Sequence, residues 1–159
     1  MSEHRRVVIT GMGAMTPLAL TLEETWEGLL AGRSGVGPIT QFDASELPVR
    51  IAGELKGFDP RQYIERTEAR RMSRCSQVAV ATAQEALADA GLEVPVNDEE
   101  RVGVLIGSAV GGFERAVEGV DRFREKGVSR LNPFMAMSSL VNMASHHVSC
   151  LAGAKGPIS

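Results

Sequence analysis

RVGVLIGSAVGGFERAVEGVDRFREK, residues 101–126, reads as a strand, a turn and a helix in immediate succession. Arg101-Val102-Gly103-Val104-Leu105-Ile106 is a nearly unbroken apolar run, the pattern of a strand buried on both faces. Small residues interrupt it, Gly107-Ser108-Ala109-Val110-Gly111-Gly112, and residues 113–126 then carry an amphipathic helical pattern that stops at Gly127. The same order stands at the start of the chain. Arg6-Val7-Val8-Ile9-Thr10 is a β-branched run closed by Gly11-Met12-Gly13.

Between these two strand-turn units the pattern is helical, then irregular, then helical again. Thr21-Leu22-Glu23-Glu24 fits a capping box, and Leu22, Trp26, Leu29 and Leu30 recur at helical spacing up to Gly32. Residues 33–60 hold four glycines and three prolines, an irregular excursion in which Val49–Gly53 reads as a short strand. An Ala-rich helix is expected over residues 67–90, with Gly91 just past its end. Asn132-Pro133 opens a further helix through about Cys150. Strands and helices alternating with Gly-rich turns define an α/β layered architecture.

Composition limits the function classes. With 159 residues, 43% hydrophobic and 23% charged, the chain has the makings of a packed core, and disorder is excluded as its main state. Its net charge of −3 argues against a general nucleic-acid or membrane-surface binder. The apolar run at residues 7–9 is too short for a signal segment and no stretch is long enough to span a bilayer. Two cysteines make no disulfide framework, so a cytoplasmic protein is expected.

Single motifs carry little chemistry. Gly11-x-Gly13 follows a strand, but Thr16 stands where a dinucleotide-binding turn needs its third glycine, and the helix starts too late to sit beneath a pyrophosphate. Residues 107–112 lack the Lys-Ser/Thr pair of a triphosphate loop. His146 and His147 are adjacent on a helix and point apart, which does not suit a metal pair, and no metal site or cofactor is expected. Cys75 and Cys150 read as small packing residues. One local feature opposes the global acidity: residues 61–74 hold five arginines against two glutamates. Arg66, Arg70 and Arg74 recur at i,i+4, where like charges repel, so the stretch is either a site for an acidic partner or a solvated face.

Taken together, VVITGMGAMTPL, WEGLLAGRSGVGPITQFDASELPVRIAGELKGFDP, VGVLIGSAVGGFE, NPFMAMSSLVNMASHH and GAKGPIS resemble, in order, the signatures of the β-ketoacyl-acyl-carrier-protein synthases, most closely the type II elongation enzymes. The resemblance runs over essentially the whole chain, residues 1–159, as the N-terminal portion of such an enzyme. It implies a thiolase-like layered α/β fold of which this is an incomplete N-terminal half. It also implies decarboxylative Claisen condensation, extending an acyl chain by two carbons from malonyl carrier protein. The family works as a homodimer with acyl carrier protein as partner, and without nucleic acid or membrane. The resemblance places its nucleophilic cysteine and two histidines beyond this segment, so no catalytic residue is assigned here and the chain alone is expected to be inactive.

What the resemblance does assign is non-covalent. Val110 matches a position lining the acyl pocket, and Phe134, Met135 and Met137 match a segment near that pocket and the dimer contact. Arg66, Arg70 and Arg71, with Arg74 beside them, match a basic patch that docks the carrier protein, while Thr67 stands where relatives can carry another basic residue. The alternatives are an aromatic polyketide ketosynthase and a non-catalytic split or partner subunit. A chain cut before its central strand and helix is expected to expose apolar surface and to be unstable or associated with other chains.

Overall fold

The computed structural model describes residues 6–159, which divide into two compact units. One comprises the described residues up to Phe58 together with Glu85–Leu92; the other comprises Asp59–Gln84 and Glu93–Ser159.

In the first unit, helix α1 spans Leu22–Leu30. The Thr21 hydroxyl accepts from the Glu24 N–H, and Glu23 and Glu24 complement the positive helix end. It ends where Gly32 adopts a φ of 64°, with the Arg33 and Gly32 N–H groups donating to the carbonyls of Gly28 and Leu29, a Schellman closure. Leu22, Trp26, Leu29 and Leu30, which recur at helical spacing, do not make up the buried residues of this helix. Instead α1 buries Thr25 and Gly28, and Trp26, Leu29 and Leu30 are exposed.

Two short strands follow, β1 (Val36–Pro38) and β2 (Ile51–Gly53), paired antiparallel with Gly37 opposite Ala52. The strand expected at residues 49–53 is thus present, shorter by two residues. Glu54, immediately after β2, is buried and binds the loop that follows β1. Its carboxylate accepts from the Thr40 hydroxyl at 2.7 Å, the Thr40 N–H at 2.9 Å and the Gln41 N–H at 3.1 Å. Those bonds, the Thr40 hydroxyl foremost, hold its pKa below the ordinary 4.5. The carboxylate is therefore fully stabilising above the ordinary glutamate pKa and loses its contribution as pH falls through the lower folded value. Glu54→Gln is expected to flatten the acid limb of a thermal-stability profile below about pH 5; an acid limb identical to that of the unaltered chain would refute this.

Residues 6–10 form no strand. Val7 is 93% and Ile9 82% exposed. A strand exists only through the hydrogen bonds of a neighbour, and none of the described residues pairs with this run. The turn after it is held firmly. Met12 N–H donates to Asp89 at 2.8 Å, and Glu85 accepts from the N–H groups of both Ala14 and Leu22 at 2.7 Å. A side chain at Gly11 would meet Ala90 Cβ at 2.7 Å, so the Ala-rich segment does allow the close approach its composition suggests. Losing two charge-assisted bonds in Glu85→Ala is expected to cost about 2 kcal/mol. The amides of Ala14 and Leu22 should then exchange with solvent faster; unaltered protection would contradict the assignment.

In the second unit, the single helix expected over residues 67–90 is broken. Helix α2 spans Arg66–Ala69 and α3 spans Arg74–Asp89. Ser73 causes the break: fully buried, its hydroxyl accepts from the Ser76 N–H and bonds the Ser76 hydroxyl at 3.0 Å, which starts a new helix rather than continuing the old one. Helix α4 (Phe113–Lys126) ends as expected at Gly127, φ 73°. The helix expected from Asn132 is also divided, into α5 (Met135–Ser138) and α6 (Met143–Ala152).

The strand expected over residues 101–106 reduces to one parallel bridge, Val104 to Ile158, with Val104 N–H donating to Pro157 at 2.9 Å and Ile106 N–H to Ser159 at 2.9 Å. Val104 is buried while Leu105 is 77% exposed, since successive side chains of an extended run point to opposite faces. The interior around α3 and α6 is built of small residues: Ser73, Ser76, Ala81, Ala144, Ser145 and Ala152 are all buried. Exposed apolar side chains, Val7, Ile9 and Leu105 among them, are prominent among the described residues.

Candidate functional site

The 107–112 turn is fastened at both ends. Gly112 lies so close to Ser73 and Ser138 that a Cβ would stand 2.6 Å from Ser73 Cβ, and one at Gly111, φ 64°, would stand 2.6 Å from Val141 Cα. The first turn of α4 then grips the segment between α2 and α3. Arg115 donates to the Met72 carbonyl at 2.6 Å, and the Arg74 N–H donates to Glu114 at 2.7 Å. This bracing brings residues distant in sequence to a common hollow.

That hollow, about 440 Å³, is lined by Thr67, Arg70, Arg71, Arg122, Arg130, Leu131, Asn132 and Phe134. Arg70 and Arg71 follow α2, Arg122 stands on α4, and Arg130 closes the 3-10 turn Val128–Arg130. The Arg71 guanidinium lies 4.8 Å from the centre of the Phe134 ring and pairs with Glu68 at 2.9 Å. No carboxylate lines the hollow. A positive concavity of this kind attracts anions and raises their local concentration.

Of the basic residues singled out in the sequence, Arg70 and Arg71 meet here. Arg66 at the start of α2 and Arg74 at the start of α3 do not line the hollow. Arg122 and Arg130 were not singled out; their only signal is the basic run Arg122, Arg124, Lys126, Arg130 in an acidic chain. The four candidate acyl-lining residues do not share a cavity. Phe134 faces the arginine hollow, and Met135 lines a second hollow of about 340 Å³ against Gly119 of α4. Val110 and Met137 are exposed and line neither.

His146 and His147 diverge, ring centres 5.2 Å apart and planes tilted by 59°. Burial, then the neighbouring His146, pushes the His147 pKa below 6.5, and its Nε2 has no hydrogen-bond partner. Cys150 has a neighbour that its sequence context concealed: its sulfur is 3.8 Å from His146 Nε2, one helical turn away. Among the described residues no three His, Cys, Asp or Glu side chains are grouped to hold a metal, and no helix is long and apolar enough to cross a membrane.

The comparisons with known proteins agree on one class. Over 98% of its length the chain superposes with a TM-score of 0.87 on the ishigamide ketosynthase/chain length factor, at 29% identity and 39% of that chain. A β-ketoacyl synthase from Burkholderia phymatum matches with a TM-score of 0.78 at 30% identity, again over 98% of this chain and 39% of the other. The fold is that of the ketosynthases, proteins of thiolase-like architecture. In sequence the chain is 44% identical over 155 residues to 3-oxoacyl-[acyl-carrier-protein] synthase 2 of Synechocystis, covering 98% of this chain and 37% of that protein. Residues 4–159 match the family described as beta-ketoacyl synthase, N-terminal domain. The chain belongs to the β-ketoacyl synthase family. It spans less than two fifths of the length of these relatives.

Proposed function

We propose that this chain forms the carrier-protein-docking, N-terminal part of a condensing enzyme that extends fatty acyl chains by two carbons. The 44% identity to a 3-oxoacyl-[acyl-carrier-protein] synthase 2 over nearly the whole chain carries the reading. The fatty-acid assignment is preferred to a polyketide one because that 44% identical relative is a 3-oxoacyl-[acyl-carrier-protein] synthase. In the reaction, malonyl carrier protein loses carbon dioxide, and the resulting carbanion equivalent attacks the acyl thioester carbonyl. A carbon–carbon bond forms, the carbon–sulfur bond breaks, and the sulfur leaves as thiolate.

In this reading Arg66, Arg70, Arg71 and Arg74 receive the acidic carrier protein. Their closeness in sequence, from the start of α2 to the start of α3, and their exposure support the role, since neighbouring exposed guanidinium groups steer an anionic partner. Val110, Phe134, Met135 and Met137 lie near the acyl chain once the rest of the fold is in place, and Met135 and Met137 adapt to a flexible chain. The layered α/β arrangement and the homodimer form with the remainder of the enzyme. The exposed apolar run Val7–Ile9 supports that, being a central-strand sequence that pairs with none of the described residues.

Direct binding tests the docking role. An acyl carrier protein titrated onto the chain should bind saturably at low ionic strength and weaken as salt is added. Absence of binding at low salt would overturn the role.

A further inference from the structure

The two cysteines of the chain stand in different surroundings. Cys150 is exposed and lies four residues after His146 on α6, a spacing that stacks two side chains on one helix face. Its sulfur accordingly comes within 3.8 Å of His146 Nε2, and both residues are open to solvent. The opposite side of α6 buries Ser145, Val148, Ser149 and Ala152, so the pair rides on a packed helix. With its proton on Nδ1, the imidazole offers Nε2 as acceptor for the thiol hydrogen. A nucleophile and a base in reach of each other make a thiol reactive, because the thiolate is the species that attacks. Cys75 is the contrast. It is half-buried, with its sulfur 3.2 Å from the hydroxyl of the buried Ser73. The Glu114 carboxylate already takes the Arg74 N–H at the start of α3, so the positive helix end beside Cys75 has met its anion.

We propose that Cys150 is a modification site for small-molecule disulfides, with His146 as the base that activates it. His146 Nε2 takes the thiol proton, and the Cys150 sulfur attacks one sulfur of the disulfide. A new sulfur–sulfur bond forms as the old one breaks. The departing half leaves as a thiolate and takes the proton back from His146. One disulfide replaces another and one thiol replaces another, so no external oxidant is required, and excess small thiol reverses the step. Neither residue belongs to the docking or acyl-lining sets, so the site is independent of the condensing-enzyme reading.

The test is the rate at which the chain reacts with an aromatic disulfide, dithiobis(nitrobenzoate), with peptide mass mapping to follow each cysteine separately. Cys150 is expected to react about tenfold faster than Cys75. His146→Gln should slow Cys150 about tenfold and leave Cys75 unchanged, a modest effect for a general base because the pair is exposed to water. In concentrated urea, where α6 is lost and the pair with it, the two rates should converge. Circular dichroism reports whether His146→Gln keeps its helices; should it not, the comparison of the two cysteines in the unaltered chain, native against urea, decides. Three results would overturn the assignment: equal rates for the two cysteines in the native chain; a Cys150 rate indifferent to His146 in a folded variant; or a Cys150 preference that persists in urea.

Discussion

Gly112→Ala is expected to destabilise the unit formed by Asp59–Gln84 and Glu93–Ser159 by about 3 kcal/mol, the upper range for overpacking. The added Cβ would stand 2.6 Å from Ser73 Cβ and closer still to the Ser138 carbonyl oxygen. Neither can yield at small cost. Ser73 is fully buried and caps α3, and Ser138 is the last residue of α5, its N–H bonded to Phe134. Next door Gly111 is in the left-handed region with the Val141 backbone against it, so the turn has no slack on that side either. Gly119→Ala is the contrasting case. Its new Cβ would meet the thioether end of Met135, a flexible side chain that can move aside. Urea titration should show a large loss for Gly112→Ala, equivalent to about 10 °C in melting temperature, and a much smaller one for Gly119→Ala. Equal, small losses would mean the 107–112 turn is not a packing joint.

Reversing two charges should have the largest effect on binding. The double substitution Arg70→Glu, Arg71→Glu is expected to weaken acyl carrier protein binding about a hundredfold, roughly tenfold per reversed charge. It should also flatten the salt dependence, because the screened attraction is what has been removed. Arg71 is the more consequential of the two, since its guanidinium is already fixed over Phe134 and against Glu68 and loses little freedom on binding. A variant that keeps both its affinity and its salt dependence would reject the docking surface and leave the arginines as a solvated face.

What was legible in the sequence was what local chemistry decides. Thr21 starts α1, and Gly32, Gly91 and Gly127 stand where backbone turns left-handed, because capping and positive φ depend on a few adjacent residues. The runs at residues 6–10 and 101–106 carry strand composition, yet only Val104 is bridged, because a strand is made by its neighbours and not by its own residues. The break at Ser73 was hidden because a serine in an arginine-rich helical stretch reads as a neutral helix residue until its hydroxyl is seen to be buried. For the site, Arg70 and Arg71 were visible as a local charge anomaly. Arg122 and Arg130 join them only through the bracing of α4 by Arg115 and Glu114, a contact of more than forty residues' separation for Met72.

The central claim is that these residues make the N-terminal part of a working condensing enzyme. It is tested most directly by exchanging them for the matching region of the Synechocystis 3-oxoacyl-[acyl-carrier-protein] synthase 2, to which they are 44% identical. The chimera is expected to condense malonyl carrier protein with an acyl thioester, releasing carbon dioxide and a product two carbons longer. A folded chimera that binds carrier protein but forms no such product would contradict the account.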